Sequence, residues 1–139
     1  MTIKIEIKDL GTGDRLAELL QKTENLRPAL TRAGAYMERK TKQNFAAQRD
    51  PDGAAWAGLR PSTLKRKRTR AILRETGALA GSIAAQPATN ESVAIASEGV
   101  DYGIYHQTGT SRMAQRRFLG FGSDDAPKIR QIIEEHLGL

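Results

Sequence analysis

The sequence predicts an α+β fold: a small, mainly antiparallel sheet packed against a long central helix and a C-terminal helix. Three observations predict it. Apolar and polar residues alternate without error over Thr2 to Lys8. Apolar residues recur at spacings of three and four from Leu26 to Phe45. Two short apolar runs, Leu79 to Ile83 and Ser92 to Ser97, flank a turn-rich stretch. At 139 residues the chain has the length of one domain, and a single domain is expected over 1–139.

In the first run, Ile3, Ile5 and Ile7 share one face while Lys4, Glu6 and Lys8 share the other, as in a half-buried strand. Gly11 to Asp14 reads as a turn, with Asp14 capping a short helix through Leu20. Asn25 is the expected N-cap of the long helix, with Pro28 in its first turn. Leu26, Leu30, Ala33, Met37, Thr41 and Phe45 form its apolar stripe. Asp50-Pro51-Asp52-Gly53 ends it. Trp56, the sole tryptophan, then lies in a loop of Gly and Ala and is expected to anchor that loop on the core. Ser62 caps a short helix that carries a basic run. Leu79 to Ile83 leads into a strand, Gln86 to Ser92 turns, and Val93 and Ile95 share a face of the returning strand. Gly109 to Arg117 is a polar, basic loop. Ser123 or Asp124 caps the last helix, and Ile129, Ile132, Ile133 and Leu137 face inward.

The formal charge is +6 and is unevenly spread. Arg60, Lys65, Arg66, Lys67, Arg68, Arg70 and Arg74 stand in one acid-free segment of charge +7. Arg112, Arg116 and Arg117 form a second cluster between Asp101 and Asp124. A solvated helix face accounts for such a run, and so does a surface that meets an acidic partner. A core gains nothing from ten basic residues in two clusters, so both are assigned as the partner-binding surface. The acidic C-terminal end, with Asp124, Asp125, Glu134 and Glu135, is one candidate for the opposing face on a neighbouring subunit.

Catalytic patterns are missing. With no cysteine, disulfides, thiolate metal sites and cysteine nucleophiles are excluded. His106 and His136 stand 30 positions apart without a second ligand at zinc spacing. Asp50-x-Asp52-Gly53 lacks the later glycine and glutamate of a calcium loop, and no phosphate-binding glycine loop occurs. Asp101, His106 and Ser111 have no nucleophile-elbow context. Neither an enzyme, a cofactor nor a small-molecule substrate is expected. No apolar run reaches membrane-span length, and the alternating N-terminus is no signal peptide, so a cytoplasmic protein without membrane contact is expected.

One set of spaced residues resembles a known family. It comprises Pro51-Asp52-Gly53 with Trp56 and Leu59; Thr63 and Lys65; Ile72-Leu73, Thr76-Gly77, Leu79 and Ser82-Ile83; Tyr102, Ile104, His106-Gln107 and Gly109; and Arg116 with Phe118-Leu119-Gly120. In this order, from about Phe45 to the C-terminus, they resemble the Mu-type bacteriophage virion morphogenesis family, also described as tail completion proteins. Ala114 and Arg117 stand where the family commonly has prolines. That departure leaves either a looser loop or one whose charge matters.

The resemblance implies a structural protein of a tailed phage or prophage. It would finish the head-proximal end of the tail by contacts with tail or neck proteins, with a homo-oligomeric ring around the tail axis. It would work in the bacterial host cytoplasm and could stay in the virion neck. The rival reading is a nucleic-acid-binding module acting through Arg60–Arg74. That run lacks the interleaved aromatics of single-strand binders, while a contact to duplex phosphates stays open. The low apolar share and positive charge predict a monomer or weak oligomer in free solution.

Overall fold

The N-terminal alternation does form a strand, β1 (Thr2–Glu6). In the computed structural model the described residues are 2–6, 25–58, 78–97, 107–109, 111 and 114–138. β1 pairs antiparallel with β3 (Ser92–Ser97), placing Ile3 opposite Ile95 and Ile5 opposite Val93. β2 (Ile83–Ala85) pairs antiparallel with the other edge of β3, giving the order β1-β3-β2. Register therefore puts Ile3, Ile5, Ile83, Val93 and Ile95 on one face, since side chains alternate with period two.

That face is covered by α1 (Arg27–Ala47). Every residue of the predicted stripe, Leu26, Leu30, Ala33, Met37, Thr41 and Phe45, is buried. Gly34 lies where the helix comes closest to the sheet. A Cβ there would stand 2.9 Å from Val93 Cγ2 and 3.3 Å from Ala85 Cβ. A mid-helix glycine costs about 1 kcal/mol relative to alanine; here it lets the helix settle on β2 and β3.

The start of α1 differs from expectation. Its N-cap is Leu26, which has no capping side chain, so Asn25 is not the cap. The oxygen comes instead from Asn90 in the β2–β3 turn, whose Oδ1 accepts from the Arg27 N–H at 3.2 Å. Leu26 sits at the boundary because it is drawn into the core, 3% exposed, and the free helix end is served by a tertiary neighbour. The helix ends at Gln48, in the left-handed region at φ 56°, shortly before Asp50-Pro51.

The hairpin reading holds for β2 and β3. Thr89 closes the turn by accepting the Glu91 and Ser92 N–H groups on its hydroxyl. A four-residue helix, α2 (Ala78–Gly81), precedes β2 where a direct lead-in to the strand was expected. Ser82 fixes that corner, donating to Leu79 O and lying 2.8 Å from the Ser97 hydroxyl.

α3 (Asp125–Leu137) packs on α1, burying Ile129, Ile132 and Ile133, with Leu137 half-buried. Asp124 holds the N-cap position without a side-chain cap bond. The Arg32 guanidinium reaches Glu135 across the two helices at 3.0 Å and holds that carboxyl below its usual range. The expected Asp14–Leu20 helix, the Ser62 helix and the Tyr102–Ile104 segment lie outside the described residues.

Candidate functional site

Two loops meet at one end of the α1–α3 pair: residues 50–58, after α1, and residues 114–124, before α3. The first is closed by Asp50, whose Oδ1 accepts from the Asp52 and Ala54 N–H groups at 2.9 and 3.0 Å. An Arg49–Ala55 bridge and the Trp56 N–H to Gln48 O bond return the chain to the helix end. Trp56 then enters the core at 6% exposed, edge-on to Phe45 with ring centroids 5.3 Å apart. Its indole N–H donates to Arg117 O at 2.9 Å, so the buried ring leaves no orphan donor and ties the two loops together.

The second loop is held by Gln107. Its Oε1 accepts from the Phe118 and Leu119 N–H groups at 3.0 and 3.1 Å, and its Nε2 donates to Leu119 O. One side chain thus satisfies three backbone groups at the point where Phe118 and Leu119 become fully buried. Phe118 and Leu119 are thus core residues.

Arg116 and Arg117 bridge the loops. Arg116 donates from Nε to Ala57 O at 2.9 Å and from Nη2 to Gly58 O at 3.0 Å. Partial burial lowers its pKa, an effect too small to neutralise a guanidinium at working pH. Arg117 reaches Asp52 at 3.6 Å. Arg117 therefore ties this loop down through both its backbone carbonyl and its side chain.

Beneath the loops lies a charged knot. Asp125, the first residue of α3, is 1% exposed. Its Oδ2 accepts from the Gly122 N–H at 2.6 Å, and its Oδ1 from Tyr36 Oη at 2.9 Å and Lys40 Nζ at 2.5 Å. A carboxylate in the first turn also faces the positive end of the helix dipole. The Gly122 backbone lies hard against Pro51, where a Cβ would fall 2.0 Å from Pro51 O.

This corrects one expectation. Asp125 belongs to the interior and not to an acidic outer face, because it answers Lys40 and Tyr36 on the long helix. Glu135 is engaged by Arg32 and Glu134 by Arg130, so most of that acidic end is matched within the chain.

The knot predicts a pH response. Burial, and then donation to Asp125, push the Tyr36 hydroxyl above its ordinary 10.0. Burial alone would lower Lys40, but the hydrogen bond and charge of Asp125 outweigh it and raise it above 10.5. Both groups hold their protons more tightly when folded. Their contribution is therefore complete below about pH 10 and falls as pH rises through the folded values. The melting temperature should drop above about pH 10, and Tyr36→Phe should flatten part of that slope. A slope equal to the parent's in both Tyr36→Phe and Lys40→Met would contradict the assignment.

Of the residues assigned to a partner surface, Arg116 and Arg117 lie at this junction. Arg60, Lys65, Arg66, Lys67, Arg68, Arg70, Arg74 and Arg112 lie outside the described residues. Tyr36, Lys40, Gln107 and Asp125 were not singled out for any role at the junction from sequence; Tyr36–Asp125 spans 89 positions, which no local pattern reveals. Among the described residues, no three His, Asp or Glu stand together as a metal site, and no helix is long and apolar enough to cross a membrane.

Comparison with known proteins adds a family. The model of the phage virion morphogenesis family matches residues 7–138. Mu-like prophage FluMu G protein 1 of Haemophilus influenzae is 29% identical over 140 residues, covering 96% of this chain and 94% of that protein. No solved structure matches.

Proposed function

Because the chain belongs to the phage virion morphogenesis family, we propose that it completes the head-proximal end of the tail by protein–protein contacts. Its broader role, in building a phage virion, follows from that membership. The observation that carries the finer reading is the charge layout: a +7 acid-free run and a second basic cluster, attached to a loop junction tied together by side-chain bonds to backbone carbonyls. In this reading the protein is structural and non-enzymatic. It acts in the host cytoplasm during assembly, its partners are tail or neck proteins, and copies associate head to tail around the tail axis. Arg60, Lys65, Arg66, Lys67, Arg68, Arg70, Arg74 and Arg112 supply the charge that meets an acidic neighbour, and Arg116 and Arg117 fix the adjoining loop.

The test is complementation of a phage lacking this gene with a protein carrying Lys65→Gln, Arg66→Gln, Lys67→Gln and Arg68→Gln. Circular dichroism should show an unchanged fold, since in this reading the four charges serve the partner and contribute little to stability. Electron microscopy should show separated heads and tails accumulating, with few infectious particles. Normal particle yield would reduce the run to a solvated face. Loss of DNA binding alone, with a salt slope matching a few phosphates, would favour the nucleic-acid reading. Unfolding would mean that the basic stems pack on the core.

A further inference from the structure

Phe121 is the exposed large hydrophobic among the described residues, at 40%. It is also unusually well mounted. On one side, a Cβ at Gly120 would lie 3.0 Å from Arg117 Nη2 and 3.3 Å from Pro51 Cγ. On the other, the Gly122 backbone is wedged on Pro51 and its N–H is held by the buried Asp125. Two residues earlier, Leu119 is stapled by Gln107. An aromatic ring left in water on a fixed mount has no folding rationale. It is the arrangement of an interface anchor, because its position is set before binding and little ordering entropy is left to lose.

A socket of suitable chemistry exists on the same chain. The outward face of α1 carries a shallow groove lined by Ala35, Glu38, Arg39, Lys42, Gln43 and Ala46. Ala35, Arg39, Lys42 and Ala46 are spaced four, three and four apart, so they share the side of the helix opposite the buried stripe. The two alanines leave a depression between long aliphatic stems. Arg39 at its wall offers a cation to an aromatic face, while Lys42 is paired with Glu38 at 3.4 Å and contributes its aliphatic stem. Exposed Asp124 follows the knob by three residues, and its charge matches the Arg39 wall, while Asp52 is engaged by Arg117.

We propose that Phe121 seats in the Ala35–Arg39–Lys42–Ala46 groove of a neighbouring copy of this chain. Knob and groove are different patches, so the contact is head-to-tail; it propagates, and it closes a ring if the rotation allows. The proposal rests on the reading that copies associate head to tail, and not on where in the virion they do so.

The chain has no cysteine, so single introduced thiols report cleanly. Purified Ser123→Cys protein, with the thiol beside the knob, is mixed with Gln43→Cys protein and treated with a short bismaleimide linker. The mixed adduct should form in preference to either self-adduct. Adding Phe121→Ser to the first protein should reduce it about tenfold, with the melting temperature unchanged because the ring packs little of the core. Adding Arg39→Glu to the second should also reduce it. Several outcomes would overturn the proposal: no mixed adduct at about 1 mM protein, a dominant Ser123→Cys self-adduct, adduct formation indifferent to Phe121→Ser, or a large melting shift in that variant. The Lys65–Arg68 complementation assay reads a different surface, so a failed cross-link leaves the assembly reading standing, and the converse also holds.

Discussion

Trp56→Ala is expected to lower the unfolding free energy by about 3–5 kcal/mol, the range for deleting a large aromatic from a packed core. The ring is 6% exposed and stands at 80° to the Phe45 ring, with Phe45 in turn 5.4 Å from Phe118. Removing it opens a cavity between the two loops and the end of α1. It also takes away the donor for Arg117 O. Trp56→Phe separates the two effects. It refills most of the space but makes no hydrogen bond, so it should lose about 1–2 kcal/mol. The measurement is urea unfolding followed by circular dichroism, because the sole tryptophan cannot report on its own removal. A loss below about 1 kcal/mol in Trp56→Ala would mean that the ring is no anchor.

The parts of this fold that were legible in the sequence are those governed by a short period. β1 follows from alternation, α1 from one uninterrupted stripe, the hairpin from two apolar runs around a polar turn, and the buried face of α3 from Ile129, Ile132 and Ile133. Each pattern is local, and each agrees with the burial that the tertiary structure imposes. What was not legible depends on partners far along the chain. Asn25 had the right chemistry for a cap, but Asn90 was better placed by the hairpin. Asp125 looked like one acid among four, and only the packing of α3 on α1 brings it to Lys40, 85 positions away. Gln107 carried no sign that its amide would satisfy Phe118 and Leu119. The junction was legible only in outline: Trp56 was read as an anchor, while the polar groups that lock it were not.

Those polar groups carry the second large effect. Asp125→Asn should destabilise the fold strongly, although it changes one atom. Both carboxylate oxygens accept, Oδ1 from Tyr36 and Lys40 and Oδ2 from Gly122. An amide can present an acceptor to one side only. In either orientation its NH₂ group faces a donor, and Lys40 loses its counter-charge. Breaking a buried ion pair by removing one partner costs about 3–5 kcal/mol. The Lys40 side chain is 24% exposed and can turn toward water, so the lower end of that range is expected. Tyr36→Phe removes one neutral donor and should lose only about 0.5–1.5 kcal/mol. Gly122→Ala attacks the same point sterically. Its Cβ would meet a backbone oxygen at 2.0 Å, so the loop must leave Pro51 and Asp125 together. Asp125→Asn and Gly122→Ala should therefore be non-additive, because both disturb the same Gly122–Asp125 contact. Additive losses would show two independent sites and would remove the knot as the mount of the loop. A melting temperature for Asp125→Asn equal to that of the parent would have the same consequence. If the knot is the mount, Asp125→Asn should also weaken the Ser123–Gln43 cross-link at temperatures where the protein remains folded. The ring of Phe121 would then no longer be held out at a fixed position by the Gly122 backbone.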